Sequence, residues 1–213
     1  MAMIPAVSRR TLLRSSLIAA AGGLMAGSQC AAAGIQHGLA AAAPGVNPWL
    51  LQRALLALAR HHSVIWSRDV VAIADFGLPS ATPRLHLIDL LAGMTTTLLV
   101  AHGKGSDPDH SGVLQSFSDV EGSAATSEGA YLTGEAYSGV HGPSRRLIGL
   151  DPTNAHAEAR AIVIHSAWYV GPEIVAQQGR LGRSDGCFAV SERDIGFVLS
   201  RLGQGRLLYA GRS

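Results

Sequence analysis

The chain has 213 residues, of which 47% are hydrophobic and 15% charged, and this composition is typical of one globular domain rather than of a disordered or fibrous protein. The 25 glycines favour a protein rich in turns and strands over a helical bundle. The formal net charge is only +2, and nothing in the charge pattern indicates nucleic acid as a partner.

Residues 1–33 show the three-part pattern of a secretory signal. Three arginines precede the apolar run 17–26, and the small residues Ala31-Ala32-Ala33 offer a cleavage site. The segment SRRTLLR, which starts at Ser8, resembles a twin-arginine export motif, so we expect export to the periplasm. The apolar run is shorter than the ~20 residues that a membrane helix needs. We therefore expect cleavage, with no stable membrane span afterwards.

Removal of this signal would leave 14 basic and 15 acidic side chains and therefore a nearly neutral protein. It would also remove Cys30 and leave Cys187 as the only cysteine. A single thiol cannot form an internal disulfide, so Cys187 is either an inert buried side chain or a nucleophile. Residues 34–46 are rich in alanine and predict a linker, which places one domain at 47–213.

A helix is predicted to begin at Pro48, because Asn47 is a favourable N-cap and proline is favoured at the first helical position. Its buried face is Leu51, Ala54, Leu55 and Leu58. The helix is predicted to end at Arg60, where a cation is favourable at the negative end of the helix dipole.

Short apolar or alternating runs predict the strands Val70–Ala74, Leu85–Leu91, Thr95–Ala101, Tyr131–Tyr137, Ala161–His165 and Arg206–Ala210. The second and third of these flank Ala92-Gly93 and are predicted to form a β-hairpin. Residues 103–130 are rich in Gly, Ser and Asp and predict a long surface loop. The run Arg206–Ala210 is predicted to be an edge strand.

A second helix is predicted to open at Ser191, with Asp194 three residues later as a variant of the capping box. Its buried stripe is Ile195, Val198, Leu199 and Leu202, and Gly203 is predicted to stop it. The chain shows no internal repeat, so we expect one mostly-β domain with a few peripheral α-helices.

The residues around Cys187 suit nucleophilic catalysis. Gly186 permits a tight turn that presents the sulfur and leaves backbone N–H groups for an oxyanion hole. A thiol needs a nearby base, and His165 at the end of the strand AIVIH is the best candidate. The backbone carbonyl of Ser166 is expected to orient the His165 ring, in the place of the carboxylate of a Ser-His-Asp triad. A lone cysteine is nevertheless more often a small buried hydrophobe.

The block from His165 to Val190, HSAWYVGPEIVAQQGRLGRSDGCFAV, resembles the active-site segment of L,D-transpeptidases. Its ending GRSDGCFA is similar to the murein L,D-transpeptidase catalytic domain family of YkuD-type L,D-transpeptidases. Further segments match that family in order over roughly residues 70–190: Asp75-Phe76, Pro79-Ser80, Arg84-Leu85, Ile88-Asp89-Leu90, Val100–Lys104, Phe117-Ser118, Gly134–Tyr137, His141-Gly142, Gly149-Leu150, Asn154 and Arg160–His165.

This resemblance implies a β-sandwich-like L,D-transpeptidase fold, peptidoglycan tetrapeptide stems as substrates, acylation by carbapenems, and no cofactor. It implies a role for each of several residues: Cys187 as nucleophile, His165 as base, Ser184 and Gly186 at the oxyanion site, His141 and Tyr137 in the cleft wall, and Arg183 near a substrate carboxylate.

The chain departs from the family pattern close to the nucleophile. Phe188 and Ala189 stand where the family prefers Pro and where common members have Arg or Asn. The carboxylate of Asp185 would raise the pKa of the thiol unless it points away. These departures leave a non-catalytic peptidoglycan-binding module open as an alternative.

Two other classes of enzyme are alternatives to the cysteine mechanism. A zinc-dependent wall peptidase would use His102, His141 and His165 as ligands, although the chain has no H-E-x-x-H motif. A papain-like peptidase places its cysteine before its histidine, whereas here His165 precedes Cys187. The order of the two residues therefore argues against a papain-like enzyme.

Overall fold

The strands of the computed structural model, which describes residue 43 and residues 45–213, form one eight-stranded sheet. The strands are β1 (Val70–Asp75), β2 (Leu85–Asp89), β3 (Met94–Leu98), β4 (Gly129–Gly139), β5 (Gly142–Gly149), β6 (Val163–Ser166), β7 (Phe188–Val190) and β8 (Leu207–Gly211). Three helices accompany them in the described part: α1 (Pro48–Arg60), α2 (Pro172–Gln178) and α3 (Ile195–Arg201). The predicted mostly-β class with a few helices is confirmed.

The strand order is β3-β2-β1-β8-β4-β5-β6-β7. The pairs β1–β8 and β6–β7 are parallel, and the other neighbours are antiparallel. Isolated bridges join Ala101 to Ala189 and Gly103 to Ser184. The chain after β3 therefore reaches back to β7, and the sheet is nearly closed.

Two cores occupy opposite faces of the sheet. In the first, the Phe188 ring contacts the rings of Phe76 and Tyr131, and the buried Val198 of α3 belongs to the same core. The second lies between α1 and the strands β1 and β8. Ala43 is 2% exposed and belongs to this second core, so the end of the predicted linker packs against the sheet.

The helix predictions are confirmed in outline. The Asn47 side chain accepts hydrogen bonds from the backbone N–H of Trp49 (2.9 Å) and of Leu50 (3.2 Å), and the helix ends at Arg60 as predicted. The late helix begins at Ile195 rather than at Ser191, because residues 191–194 form a turn in which Asp194 N–H donates to Ser191 Oγ at 3.0 Å.

Other predictions need correction. The run Arg206–Ala210 was expected at an edge, but β8 lies between β1 and β4 and is buried throughout. Its unbroken apolar run is typical of a strand that is covered on both faces. Strand β5 and helix α2 were not predicted, and the hairpin strand β3 ends at Leu98.

The predicted signal peptide and most of the linker lie outside the described residues. Within residues 43 and 45–213, no helix is long and apolar enough to cross a bilayer.

Candidate active site

The parallel strands β6 and β7 are neighbours in the sheet, with His165 in β6 and Cys187 in the turn before β7. Cys187 directly precedes β7, and His165 lies in β6 opposite Ala189. Ile164 and Phe188 point into the first core. Because successive side chains of a strand point to opposite faces, His165 faces away from that core.

The Cys187 thiol is held by its surroundings in the protonated form. Its Sγ donates a hydrogen bond to the carbonyl oxygen of Ala161 at 3.6 Å. Burial raises the pKa of Cys187, and the negative charge of Asp185 raises it further, whereas the Val163 backbone and Arg160 oppose the shift. The thiol therefore needs a base in contact with it before it can attack.

His165 has the protonation state that such a base requires. Its Nδ1 lies 2.8 Å from the carbonyl oxygen of Ser166, so Nδ1 carries the proton and Nε2 keeps its lone pair. Burial lowers the pKa of His165, and His141 lowers it further, so the ring is neutral at pH 7. The Ser166 carbonyl therefore contacts the His165 ring as expected, and a catalytic role for Ser166 stays a prediction.

The tip of the β4–β5 hairpin covers this histidine. The His141 ring stacks on the His165 ring with centroids 4.3 Å apart and an interplanar angle of 24°. Ser166 Oγ donates to the carbonyl oxygen of His141 at 3.3 Å and ties the hairpin tip to β6. The role of His141 in a wall of the cleft stays a prediction.

The turn before Cys187 has a conformation that only glycine adopts readily. Gly186 has φ +114°, and a Cβ at this position would lie 2.7 Å from the carbonyl oxygen of Ala125. Ser184 Oγ accepts from Gly186 N–H at 3.2 Å and donates to the Cys187 carbonyl at 2.7 Å. The hydroxyl of Ser184 is therefore used within the turn, and a direct contact of Ser184 with substrate stays a prediction.

Arg183 and Tyr137 contact groups other than the nucleophile. Arg183 Nη1 donates to the backbone carbonyls of Asp107 and Pro108, and this ties the loop after β3 to the turn before Cys187. The Tyr137 ring lies under the guanidinium of Arg146, 4.7 Å from its carbon, rather than in the histidine stack. The substrate contacts predicted for both residues remain predictions.

A buried chain of polar groups lies behind the turn. Arg84 Nη2 lies 2.7 Å from His102 Nδ1, and His102 Nε2 lies 3.4 Å from Asp107 Oδ2. Burial lowers the pKa of Arg84 to about 9 and that of His102 to about 4, so Arg84 is charged and His102 neutral at pH 7. The carbonyl of His102 accepts from Ser184 N–H at 3.0 Å, so this buried chain supports the turn.

The zinc alternative does not match this arrangement. The ring of His102 is bound between Arg84 and Asp107, apart from the stacked rings of His141 and His165. In the part of the chain that the structure describes, no group of three or more His, Cys, Asp or Glu side chains could hold a metal ion.

Sequence reasoning missed two features beside Cys187. Burial raises the pKa of the Tyr169 phenol to about 12, and the charges of Cys187 and Asp185 add to the shift. Lys104 Nζ pairs with Asp185 Oδ1 at 2.6 Å. The loop that holds Tyr169 has no pattern that indicates its position, whereas Lys104 lies in a segment that matches the family.

The chain was compared with known proteins. Residues 42–210 match the family model of the L,D-transpeptidase catalytic domain. No curated protein sequence matches the chain. Similar solved structures include an L,D-transpeptidase from Mycobacterium tuberculosis H37Rv, with 14% identity and a TM-score of 0.43 over 68% of this chain and 58% of that one.

Two other structures are similar at the same level. L,D-transpeptidase 3 from Mycobacterium tuberculosis, in complex with a faropenem-derived adduct, has 13% identity and a TM-score of 0.43 over 68% of this chain and 60% of that one. The helical cell shape determining protein Pgp2 from Campylobacter jejuni has 13% identity and a TM-score of 0.42 over 79% of this chain and 57% of that one. This chain spans less than two thirds of each of these proteins. The family match covers most of the chain, and the protein therefore belongs to the L,D-transpeptidase catalytic domain family.

Proposed function

We propose that this protein is a periplasmic L,D-transpeptidase that acts on peptidoglycan tetrapeptide stems through a thioester at Cys187. The observation that supports it is the pairing of β6 with β7, in which the strand of the neutral His165 imidazole lies beside the strand that follows the protonated Cys187 thiol. The proposed periplasmic location rests on the twin-arginine pattern within residues 1–33.

In the first half of the reaction, Cys187 becomes acylated. The thiol leaves the Ala161 carbonyl and gives its proton to His165 Nε2 as the sulfur attacks the carbonyl carbon of the third stem residue. A C–S bond forms and the C–N bond to the terminal D-Ala breaks. The imidazolium gives the proton to the leaving amine, so His165 returns to its neutral state.

In the second half, an acceptor resolves the thioester. The amine of a second stem attacks the thioester carbon and gives a proton to His165, a C–N bond forms, the C–S bond breaks, and the thiolate recovers the proton. The side-chain amine of a diaminopimelate residue yields a 3→3 cross-link, whereas water yields hydrolysis of the terminal D-Ala. The exchange uses the energy of the original peptide bond and needs no ATP.

The surroundings of His165 suit this double use of one imidazole. The Ser166 carbonyl fixes the tautomer at 2.8 Å, so Nε2 is the atom that exchanges the proton in both halves. The stacked His141 ring shields one side of the imidazole from water. A base with a lowered pKa is deprotonated at neutral pH, which is the state that acylation requires.

Mass spectrometry of the intact protein after exposure to meropenem tests the nucleophile. We expect one covalent adduct on the wild type and none on Cys187→Ala. Cys30→Ala is the matched control, because it removes the other cysteine of the full chain, and its adduct should equal that of the wild type. An adduct that survives Cys187→Ala, or a wild type that forms none, would overturn the proposed mechanism.

A further inference from the structure

A cavity of about 490 Å³ opens at the turn that precedes Cys187. Its lining includes Lys104, Glu121, Arg160 and Asp185. Asp185 is two residues before Cys187, and Arg160 directly precedes Ala161, whose carbonyl accepts the thiol hydrogen bond. The cavity is therefore lined by segments that adjoin Cys187 and the acceptor of its thiol hydrogen bond.

The cavity presents both signs of charge. Lys104 is the only lysine in the chain, and its ammonium pairs with Asp185 Oδ1 at 2.6 Å. The two side chains are 58% and 75% exposed. Because exposed ion pairs contribute little to stability, an incoming charged group can replace either partner of this pair. Glu121 is exposed and has no hydrogen bond or ion pair with any other described residue.

Arg160 is a wall of the cavity rather than a free ligand group. Its side chain is 4% exposed, and its two terminal nitrogens donate to Ser118, Ser123, Ala125 and Ser127. The charges that remain available to a ligand are therefore one ammonium, on Lys104, and two carboxylates, on Asp185 and Glu121.

We propose that this cavity binds the zwitterionic amino-acid centre of the acyl acceptor, with its carboxylate on Lys104 and its ammonium between Asp185 and Glu121. This inference rests on the proposed function, in which the attacking amine belongs to a diaminopimelate side chain whose carbon also bears a carboxylate. Opposite charges within a few ångströms favour such a group over water. The bound ammonium releases one proton to solvent before the neutral amine attacks the thioester.

The test measures acylation and transfer separately. The wild type is acylated with a tetrapeptide stem and offered acceptor stems whose diaminopimelate side-chain centre bears either a free carboxylate or a carboxamide. We expect transfer to the carboxylate form to be roughly tenfold faster, equivalent to about 1.4 kcal/mol. Lys104→Met should abolish this preference without changing acylation, and Lys104→Arg should retain it.

Arg60→Met is the matched control, because Arg60 is also exposed (65%) and ion-paired, to Asp151, but lies at the end of α1. It should leave the preference unchanged. Equal transfer to both acceptors by the wild type would overturn the inference. So would a Lys104→Met variant that slows both acceptors equally, since this indicates a structural role for Lys104.

Donor stems carry the same zwitterionic diaminopimelate centre as acceptor stems. Varying the donor therefore tests which of the two stems the cavity binds. If Lys104→Met slows acylation by free-carboxylate donors but not by amidated ones, the cavity serves the donor and the assignment to the acceptor is wrong. If the wild type forms no acyl-enzyme with any stem, the proposed function itself fails and this inference fails with it. Acyl-enzyme formation without acceptor discrimination overturns the inference alone.

Discussion

Thr126 joins two loops that meet behind the nucleophile. Its Oγ1 accepts from Gly103 N–H at 2.9 Å and donates to the Gly186 carbonyl at 3.2 Å, and the residue is fully buried. Thr126→Val keeps the shape of the side chain but removes both hydrogen bonds. The substitution therefore tests whether this hydroxyl holds the turn that presents Cys187.

The expected loss follows from the group left behind. A buried N–H without an acceptor costs about 1–3 kcal/mol, so we expect Thr126→Val to lower the free energy of unfolding by about 2 kcal/mol. For a domain of this size the loss corresponds to a fall in Tm of roughly 4–8 °C. Thr126→Ser retains the hydroxyl and loses one methyl group, which costs about 0.8 kcal/mol.

The two variants should therefore separate stability from catalysis. Urea unfolding gives the stability loss, and the rate of carbapenem acylation reports the position of the turn. We expect Thr126→Ser to acylate like the wild type and Thr126→Val to acylate more slowly, because the Gly186 carbonyl is no longer held. A valine variant within about 0.5 kcal/mol of the wild type, or a serine variant that acylates as slowly as valine, would refute this reasoning.

Two predictions concern pH. Because burial lowers the pKa of His165, the acylation rate should be constant around neutral pH and fall only below the ordinary value of 6.5; a rate that rises steadily to pH 9 would instead indicate titration of Cys187 alone. Because the pKa of His102 falls from 6.5 to about 4 on folding, the unfolded chain binds more protons in that window and stability should rise with pH across it. Urea unfolding of His102→Gln should show a flatter profile there, and equal slopes for the two proteins would contradict the expectation.

The elements with strong local signals were predicted from the sequence. Helix α1 has a capping asparagine, an N-terminal proline and a regular apolar face, and β6 is an apolar run. Strand β5 lacked such a signal because it begins Gly-Pro-Ser-Arg-Arg. The buried Arg145 of that strand donates from Nη1 and Nη2 to the distant carbonyls of Gly134 and Leu199, and its Nε has no partner among the described residues. Long-range partners of this kind leave no trace in local periodicity.

Some features of the candidate site could likewise be predicted from the sequence, and others depend on the fold. The pairing of Cys187 with His165 is a prediction from a sequence pattern, and the neighbouring strands β6 and β7 agree with it. The pairing of Asp185 with Lys104 depends on the loop after β3 returning to β7, which only the nearly closed sheet reveals. The effect of Cys187 and Asp185 on the pKa of Tyr169 depends on a loop whose path the sequence does not indicate.

The central position of β8 has a consequence for biosynthesis. Asp69, just before β1, and Arg206, just before β8, are ion-paired although they are 137 positions apart. Until the ribosome has released the residues of β8, the strand between β1 and β4 is missing, and the edges of β1 and β4 that pair with it stay unpaired. Such edges are templates for association between chains. A nonsense mutation or a proteolytic cut just before Leu207 would therefore be expected to yield aggregating fragments, even though every residue of the candidate site is still present.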